Sequence, residues 1–542
     1  MADFAVDALQ ALERCPSNSA TEHAAAHAAW LASRAEDALR HARAGRGADA
    51  DPHYPWLLAL TPARVRYDAF DFALRSQRAA GGAGTDELLE DCRMELAVLL
   101  AADPQNVWTW RAYAANEAAA GAPEEALAVL ERAIDRLPRE YELWNDWRLL
   151  ARQHVGLRGA AERAEALALR HGQSAPALFH AGSECFEAAL EQLNSDPLTA
   201  RDGFLRAQEW LTSARATDPA WDASVRDREV VCRAGLGWSA LGLGRAEEAE
   251  LAFRSMDEVV PGGLRYSIEG RLGSGIAGLD AVGRELAQRY SASRELASLE
   301  RAAAIYATLR DSAPTDGEES IESDWPRRAG VFQRELALEL ARRAQLCCVA
   351  ARDGAAAATL EQALRALEPD LPAELSSPAG REALLARADL LAARARDRMR
   401  ESWSSYRAAL GPESEDVRML NDAALVQVQY LREDLAGAEA LLRRSVELGE
   451  RQLADPTLSQ RARYELQNAW GDAHQSLGVL ELVHRGDKLT ARLWFEKALS
   501  IGPDPRPIVS DEFLPACADG SDPERLPEAI AIRSWGEVCP RP

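Results

Sequence analysis

One helical spacing that keeps returning constrains this chain more than any other feature. In EEALAVLERAIDRLP, Ala126 is followed at four, seven and twelve residues by Leu130, Ala133 and Pro138. The same spacing holds at Cys92, Leu96, Leu99 and Pro104, at Ala207, Leu211, Ala214 and Pro219, and at Ala249, Phe253, Met256 and Pro261. It returns at Ala302, Tyr306, Leu309 and Pro314, and at Ala491, Phe495, Ala498 and Pro503. Copies without the proline begin at Ala160, Ala356, Ser402 and Ala438. Spacings of four and seven put three side chains on one helical face. A small first residue admits a neighbouring helix, a larger second fills the gap, and proline then ends the helix because it has no N–H to donate. In a chain so rich in alanine, the prolines at fixed distance are the discriminating part.

Each motif helix follows another helix. In GLGWSALGLGRAEEAELAFRSMDEVVP, Leu236 and Gly237 belong to the first, a turn falls near Gly244, and the second carries Ala249 and Phe253. From Cys92 to Ala126 to Ala160 the step is 34 residues; later steps run from 36 to 54, which lengthened hairpins or insertions explain. The pattern resembles the tetratricopeptide repeat, through Leu236, Gly237, Ala249, Phe253 and Pro261 and through Trp110, Ala126, Leu130, Ala133 and Pro138. The resemblance covers roughly residues 86–503. It implies an all-α fold, an α-solenoid of stacked antiparallel helix hairpins in a right-handed superhelix, as one array or two lobes. Trp110 three residues before Tyr113, and Trp144 three before Trp147, look like the half-a-TPR repeat of RNA-processing scaffolds.

Composition agrees with helices. Alanine, leucine, arginine and glutamate dominate, and runs rich in valine, isoleucine and threonine are nearly absent. With 47% hydrophobic residues the chain can bury a large core. Its formal charge of −23, with Lys488 and Lys497 the only lysines, repels phosphate backbones, so no DNA binding is expected and a basic protein partner is suited. MADFAVDALQALERCP lacks the basic start and apolar run of a secretory signal, and no stretch of about eighteen apolar residues would span a membrane. The eight cysteines include no C-x-x-C and read as small buried thiols in a reducing compartment, with Cys517 and Cys539 of the tail left open as a pair. A cytoplasmic protein is expected.

Gly273-Ser274-Gly275-Ile276-Ala277-Gly278 spells G-x-G-x-x-G. A dinucleotide turn needs a strand before the glycines and a helix starting on them. RYSIEG is a poor strand and no βαβ unit follows, so the glycines are expected inside a helix or a loosened one, where small residues let a partner pack closely. His23 and His27 of HAAAH share a helical face but lack a third metal ligand at a telling distance. Arg485-Gly486-Asp487 is expected to be a turn between repeat helices. Glu124-Glu125 and Glu247-Glu248 fall at second-helix starts, where they favour the helix dipole. No P-loop and no G-x-S-x-G appears, and neither an enzyme nor a cofactor is expected.

In tetratricopeptide arrays the first helices line a groove. Helical spacing places Trp108, Arg111 and Ala115 on one face of the helix that packs through Trp110 and Tyr113, and Glu142, Asn145 and Arg152 recur on the comparable face of the next. Trp108, Arg111, Asn145 and Arg152 are the expected partner-binding groove, able to hold an extended peptide by stacking and by hydrogen bonds. The lysine-based carboxylate clamp of chaperone-binding members is not matched. The expected organisation is an N-terminal helical cap (residues 1–85), repeats (86–313), an acidic loop (314–326), repeats with lengthened hairpins (327–503) and a proline-rich tail (504–542) that folds back on the last repeats. The expected function is a non-catalytic scaffold or adaptor for a protein or peptide partner. A ligand- or peptide-sensing regulator is the alternative, and an RNA-processing scaffold a further one.

Overall fold

The computed structural model describes residues 85–312, 325–372, 374–410, 414–501, 504–518 and 521–526, together with scattered positions between 67 and 78 and Trp535. Most of the expected N-terminal cap, the His23/His27 pair, most of the acidic loop, and Pro314 and Pro503 lie outside the described residues. The described residues are almost entirely helical, with a single isolated bridge between Ile268 and Leu272. The chain divides into two compact units, Met1–Gly275 and Ile276–Pro542.

In unit 1, α1 (Thr85–Ala102) precedes a series of hairpins. These are α2 (Val107–Ala119) with α3 (Pro123–Arg136), the two arms of α4 (Tyr141–Arg170), α5 (Ala175–Gln192) with α6 (Pro197–Thr217), and α7 (Asp222–Gly242) with α8 (Ala246–Arg254) and the short α9 (Met256–Val259). The arms of α4 meet at Gly156, whose φ of 74° lies in the left-handed region, so one glycine does the work of a turn. The motif residues form the core. Cys92, Leu96, Ala126, Leu130, Ala133, Ala207, Leu211, Ala214, Ala249, Phe253 and Met256 are all buried. Gly237 admits its partner helix as expected, because a Cβ there would lie 2.5 Å from the Phe253 ring.

The prolines follow the helix ends: Pro104 after α1, Pro138 after α3, Pro219 after α6 and Pro261 after α9. They also anchor the next hairpin. A carbonyl just past a helix end has no partner within that helix. The Trp110 Nε1–H donates to the Pro104 carbonyl at 3.0 Å, and the Trp144 Nε1–H donates to the Pro138 carbonyl at 3.0 Å. Trp144 and Trp147 pack edge to face at 6.3 Å and are fully buried.

Unit 2 contains α10 (Gly275–Ser293), α11 (Leu296–Asp311), α12 (Trp325–Arg352), α13 (Gly354–Leu367), α14 (Pro378–Ala409), α15 (Val417–Leu425), α16 (Leu435–Leu453), α17 (Gln460–Val479), α18 (Lys488–Ile501) and the short α19 (Leu514–Ala516). At 28 and 32 residues, α12 and α14 account for the long steps from Ala302 to Ala356 and from Ala356 to Ser402. The copy expected at Ala356 is shifted by one residue, with Ala357 and Leu364 buried and Ala356 only partly so. First helices α15 and α17 end in wider π turns, Val426–Leu431 and Leu480–Arg485, each followed by a left-handed residue, Arg432 or Gly486. Arg485-Gly486-Asp487 is such a turn: Arg485 is held by Glu481 and Glu439, and Asp487 caps α18 by accepting from the Thr490 N–H at 3.0 Å. The described part of the tail packs on unit 2, with Phe513 stacked on Phe495 at 5.1 Å and Trp535 edge-on to Tyr430 at 5.2 Å.

Cys92, Cys185, Cys232, Cys347 and Cys517 are buried free thiols. Burial pushes the thiols of Cys92, Cys185, Cys232, Cys347 and Cys517 up, that of Cys92 to about 12 and that of Cys347 to about 11. Cys348 departs from the expectation of free thiols because it is disulfide-bonded, and Cys517 is not paired.

Candidate binding face

The first helices of unit 1, α2, the first arm of α4, α5 and α7, are linked side by side through arginine–carboxylate pairs. Arg93 of α1 holds Glu117 of α2 at 2.6 Å. Arg111 of α2 reaches Asp146 at 2.6 Å and also bonds Glu142, both on α4. Arg152 of α4 grips Glu184 of α5 with two bonds of 2.6 and 2.9 Å, a bidentate fork matched to a carboxylate. Glu187, one turn along α5, is met by Arg271 at 2.9 Å and by Arg228 of α7 at 3.7 Å.

Each expected groove residue has a definite place in this ladder or beside it. Arg111 and Arg152 are rungs. Asn145 accepts from Arg148 at 2.9 Å and so orients the next guanidinium. Trp108 stands apart: it is half-buried and meets Tyr67 edge to face at 5.4 Å, beside the cluster around Phe70 and Leu88. The structure therefore brings Arg111, Asn145 and Arg152 onto one connected face and leaves Trp108 in packing. Glu184, Glu187, Arg148, Arg228 and Arg271 were not found from sequence. Glu184 lies 32 residues from Arg152, and no local spacing connects positions that far apart.

At the centre of the ladder the charges do not balance. Arg148, Arg152, Arg228 and Arg271 surround two carboxylates, Glu184 and Glu187. Glu184 has no exposed side-chain surface, and burial pushes its carboxyl up although Arg152 and Arg148 pull it down. Arg148 stands 3.9 Å from Glu184, beyond hydrogen-bond reach, and its Nε–H has no partner. On the same face of α5, the buried Ser183 hydroxyl and both ring nitrogens of His180 also lack partners. His180 is stacked on Trp144 at 5.8 Å and tilted against Tyr141 at 5.1 Å. Burial, with Arg148, Arg152 and Arg228 nearby, drives its imidazole down to about 3, so it is neutral at physiological pH. Tyr141 is half-exposed and sits beside Trp221 at 6.1 Å, which leaves an aromatic edge next to the arginines. A group with negative charge and hydrogen-bond acceptors complements this cluster.

The glycine-rich stretch serves this cluster and is inside a helix only in part: Gly275 and Gly278 lie in the first turn of α10, whereas Gly273 precedes it. Residues 268–272 form a tight turn, Gly273 accepts from the Trp238 Nε1–H at 2.9 Å, and α10 starts only at Gly275. The turn delivers Arg271 to Glu187. Among the described residues no group of three or more histidine, cysteine, aspartate or glutamate side chains is placed to hold a metal ion, and no described helix is long and apolar enough to cross a membrane.

No family model matches the chain, and no curated protein matches it. Among solved structures, a monomeric mutant of IFIT1 with Gppp-AAAA aligns with 80% of this chain and 78% of its own, at 12% identity and a TM-score of 0.25. Naa15/Naa10 bound to HypK-THB aligns with 96% and 79%, at 12% identity and a TM-score of 0.21. The TPR domain of P58(IPK) aligns with 76% and 98%, at 16% identity and a TM-score of 0.17.

Proposed function

We propose that this protein is a non-catalytic, tetratricopeptide-like scaffold or adaptor that binds a protein partner through the first-helix face of unit 1. One observation carries the reading. Four guanidiniums converge on two carboxylates there, and Arg148, Ser183 and His180 keep unpartnered polar atoms beside an exposed aromatic edge. Buried polar groups left unpaired are costly, and a partner that offers a carboxylate and an apolar side chain would satisfy them. The chain's charge of −23 acts at longer range, where it attracts a partner that is basic overall and disfavours DNA. A cytoplasmic setting fits this reading.

A tagged pull-down from the native host at low salt, with R148Q/R228Q beside the native chain, tests it. A stoichiometric protein that the native chain retains and the double variant loses supports the proposal. Equal capture by both, or recovery of the native chain alone, defeats it. Salt-sensitive retention of RNA would favour the processing-scaffold alternative.

A further inference from the structure

Unit 1 contains a cavity of about 320 Å³ between the second arm of α4, α5 and α6, within the range that small ligands occupy. Ala161 and Glu165 enter it from α4, Cys185, Ala188 and Ala189 from α5, and Gly203 from α6. Residues three, four or seven apart share a helical face, so three faces meet here, and their central side chains are too small to fill the gap. Burial, and after it the charge of nearby Glu165, push the Cys185 thiol up, so the floor is neutral. The charged residues of the lining differ in freedom. Arg158 and Glu162, both well exposed, bond each other at 3.0 Å along one helix. Asp196 caps α6 by accepting from the N–H and O–H of Thr199 at 3.2 and 2.6 Å. Glu165 is held in place with 20% of its side chain exposed. Its Oε1 accepts from the Trp210 Nε1–H at 3.0 Å, and its Oε2 meets Arg206, itself 56% exposed, only at 3.5 Å.

A half-exposed guanidinium at that distance is easily replaced. The fixed charge that an entering group meets is therefore the Glu165 carboxylate, above a floor of small apolar groups. An anion would be repelled, and an uncharged apolar group would leave the carboxylate unanswered. With Oε1 already occupied, one oxygen is left, which suits the point charge of an ammonium better than a two-pronged guanidinium. The occupant is not a second copy of this chain. Its only lysines are Lys488, held by the Ser521 carbonyl, and Lys497, over the Trp470 ring at 5.7 Å. The charge of −23 favours a basic chain. We propose that the cavity receives a lysine side chain of a basic protein partner, its methylenes against Ala161, Ala188 and Ala189 and its ammonium on Glu165 Oε2 in place of Arg206. The proposal rests on the reading of this chain as a binder of protein, and it uses the side of α5 turned away from Glu184 and Glu187.

Titration calorimetry and thermal melting of the full chain test this with Nα-acetyl-lysine methylamide and n-pentylamine, beside n-pentanol, pentanoate and Nα-acetyl-arginine methylamide. The two amines should bind once per chain and raise the melting temperature, the arginine compound several-fold more weakly, and the alcohol and the carboxylate not detectably. Glu165→Gln keeps an acceptor for Trp210 and should weaken amine binding roughly tenfold. Ala188→Leu fills the cavity from a half-buried position and should abolish it, whereas Arg206→Gln should tighten it by removing the competing cation. R148Q/R228Q should leave every titration as it is, so failure on the first-helix face and failure here are told apart. The proposal is overturned if neither amine binds at concentrations up to about 10 mM, or if the alcohol, the carboxylate or the arginine compound binds as tightly. It is equally overturned if pentylamine binds and the lysine compound does not, or if folded Glu165→Gln and Ala188→Leu bind as the native chain does.

Discussion

Units 1 and 2 use arginine for opposite ends. In unit 2, Arg343 is almost fully buried and completely occupied: it bonds Glu339 at 2.8 Å, Glu368 at 3.3 Å, and the Leu367 and Arg294 carbonyls. Arg342 and Arg387 close the set by holding Glu339 and Glu368. In unit 1, the guanidiniums around Glu184 and Glu187 outnumber the carboxylates and leave polar atoms unpartnered. A saturated network ties helices together; an unsaturated one is poised for a further group. The same residue types on the same helix hairpins thus give a saturated network around Arg343 and an unsaturated one around Glu184 and Glu187, the face proposed to bind a partner.

The largest test of that contrast is Arg343→Ala. It strips Glu339 and Glu368 of a buried partner and should cost about 3–5 kcal/mol, read as an earlier unfolding transition of unit 2 in denaturant. Arg148→Gln, at an unsaturated site, should cost far less than Arg343→Ala. Equal losses would break the comparison.

Acid should separate the units next. His180 is neutral in the folded chain with its imidazole down at about 3, whereas in the unfolded chain it takes a proton near 6.5. Its contribution is present in full above pH 6.5 and is lost as the pH falls towards 3, amounting to about 2 kcal/mol at pH 5. Glu339 is opposed by burial but held at about 2 by hydrogen bonds from Arg342, Arg343 and Tyr290, so its contribution is present above 4.5 and is lost only as the pH falls towards 2. Between pH 6.5 and 5, unit 1 should therefore weaken through His180; Glu339 adds no slope to unit 2, where burial also pushes the His474 imidazole down, so the two slopes are compared in a chain carrying His474→Phe. Denaturant melts across that range check it, and His180→Phe should flatten the slope for unit 1.

A matched pair measures the packing that both units share. A Cβ on Gly237 would stand 2.5 Å from the Phe253 ring, and one on Gly478 would stand 2.4 Å from the Phe495 ring. Gly237→Ala and Gly478→Ala should each cost about 1–3 kcal/mol, since aromatic rings pinned in a core cannot yield freely. A large difference between them would show that the two hairpins are not equivalent. The smallest effect belongs to Arg111→Gln, whose pair with Glu142 is exposed and whose pair with Asp146 is only part-buried; a change of about 1 kcal/mol or less is expected.

Much of this architecture was legible in the sequence. The small-large-small spacing named the residues that are buried at Ala126, Leu130 and Ala133, and the prolines marked helix ends. Trp110 and Trp144 read as packing residues, but their role as donors to Pro104 and Pro138 was hidden, because an orphaned carbonyl leaves no mark on residue type. The one-residue shift at Ala357 was hidden by the run of alanines around it, which makes every register look alike. The site was half legible. Spacing along α2 and α4 selected Arg111, Asn145 and Arg152 but placed Trp108 with them, since the Tyr67 contact comes from a distant part of the chain.

The sequence by itself determined the hairpins, because helix propensity, a period of 3.6 residues and proline all act within a few positions along the chain. Only the tertiary structure decided which charges meet. A hydrogen-bonded ion pair needs its atoms within about 3 Å, and that distance between Arg152 and Glu184 is set by how one helix settles against the next.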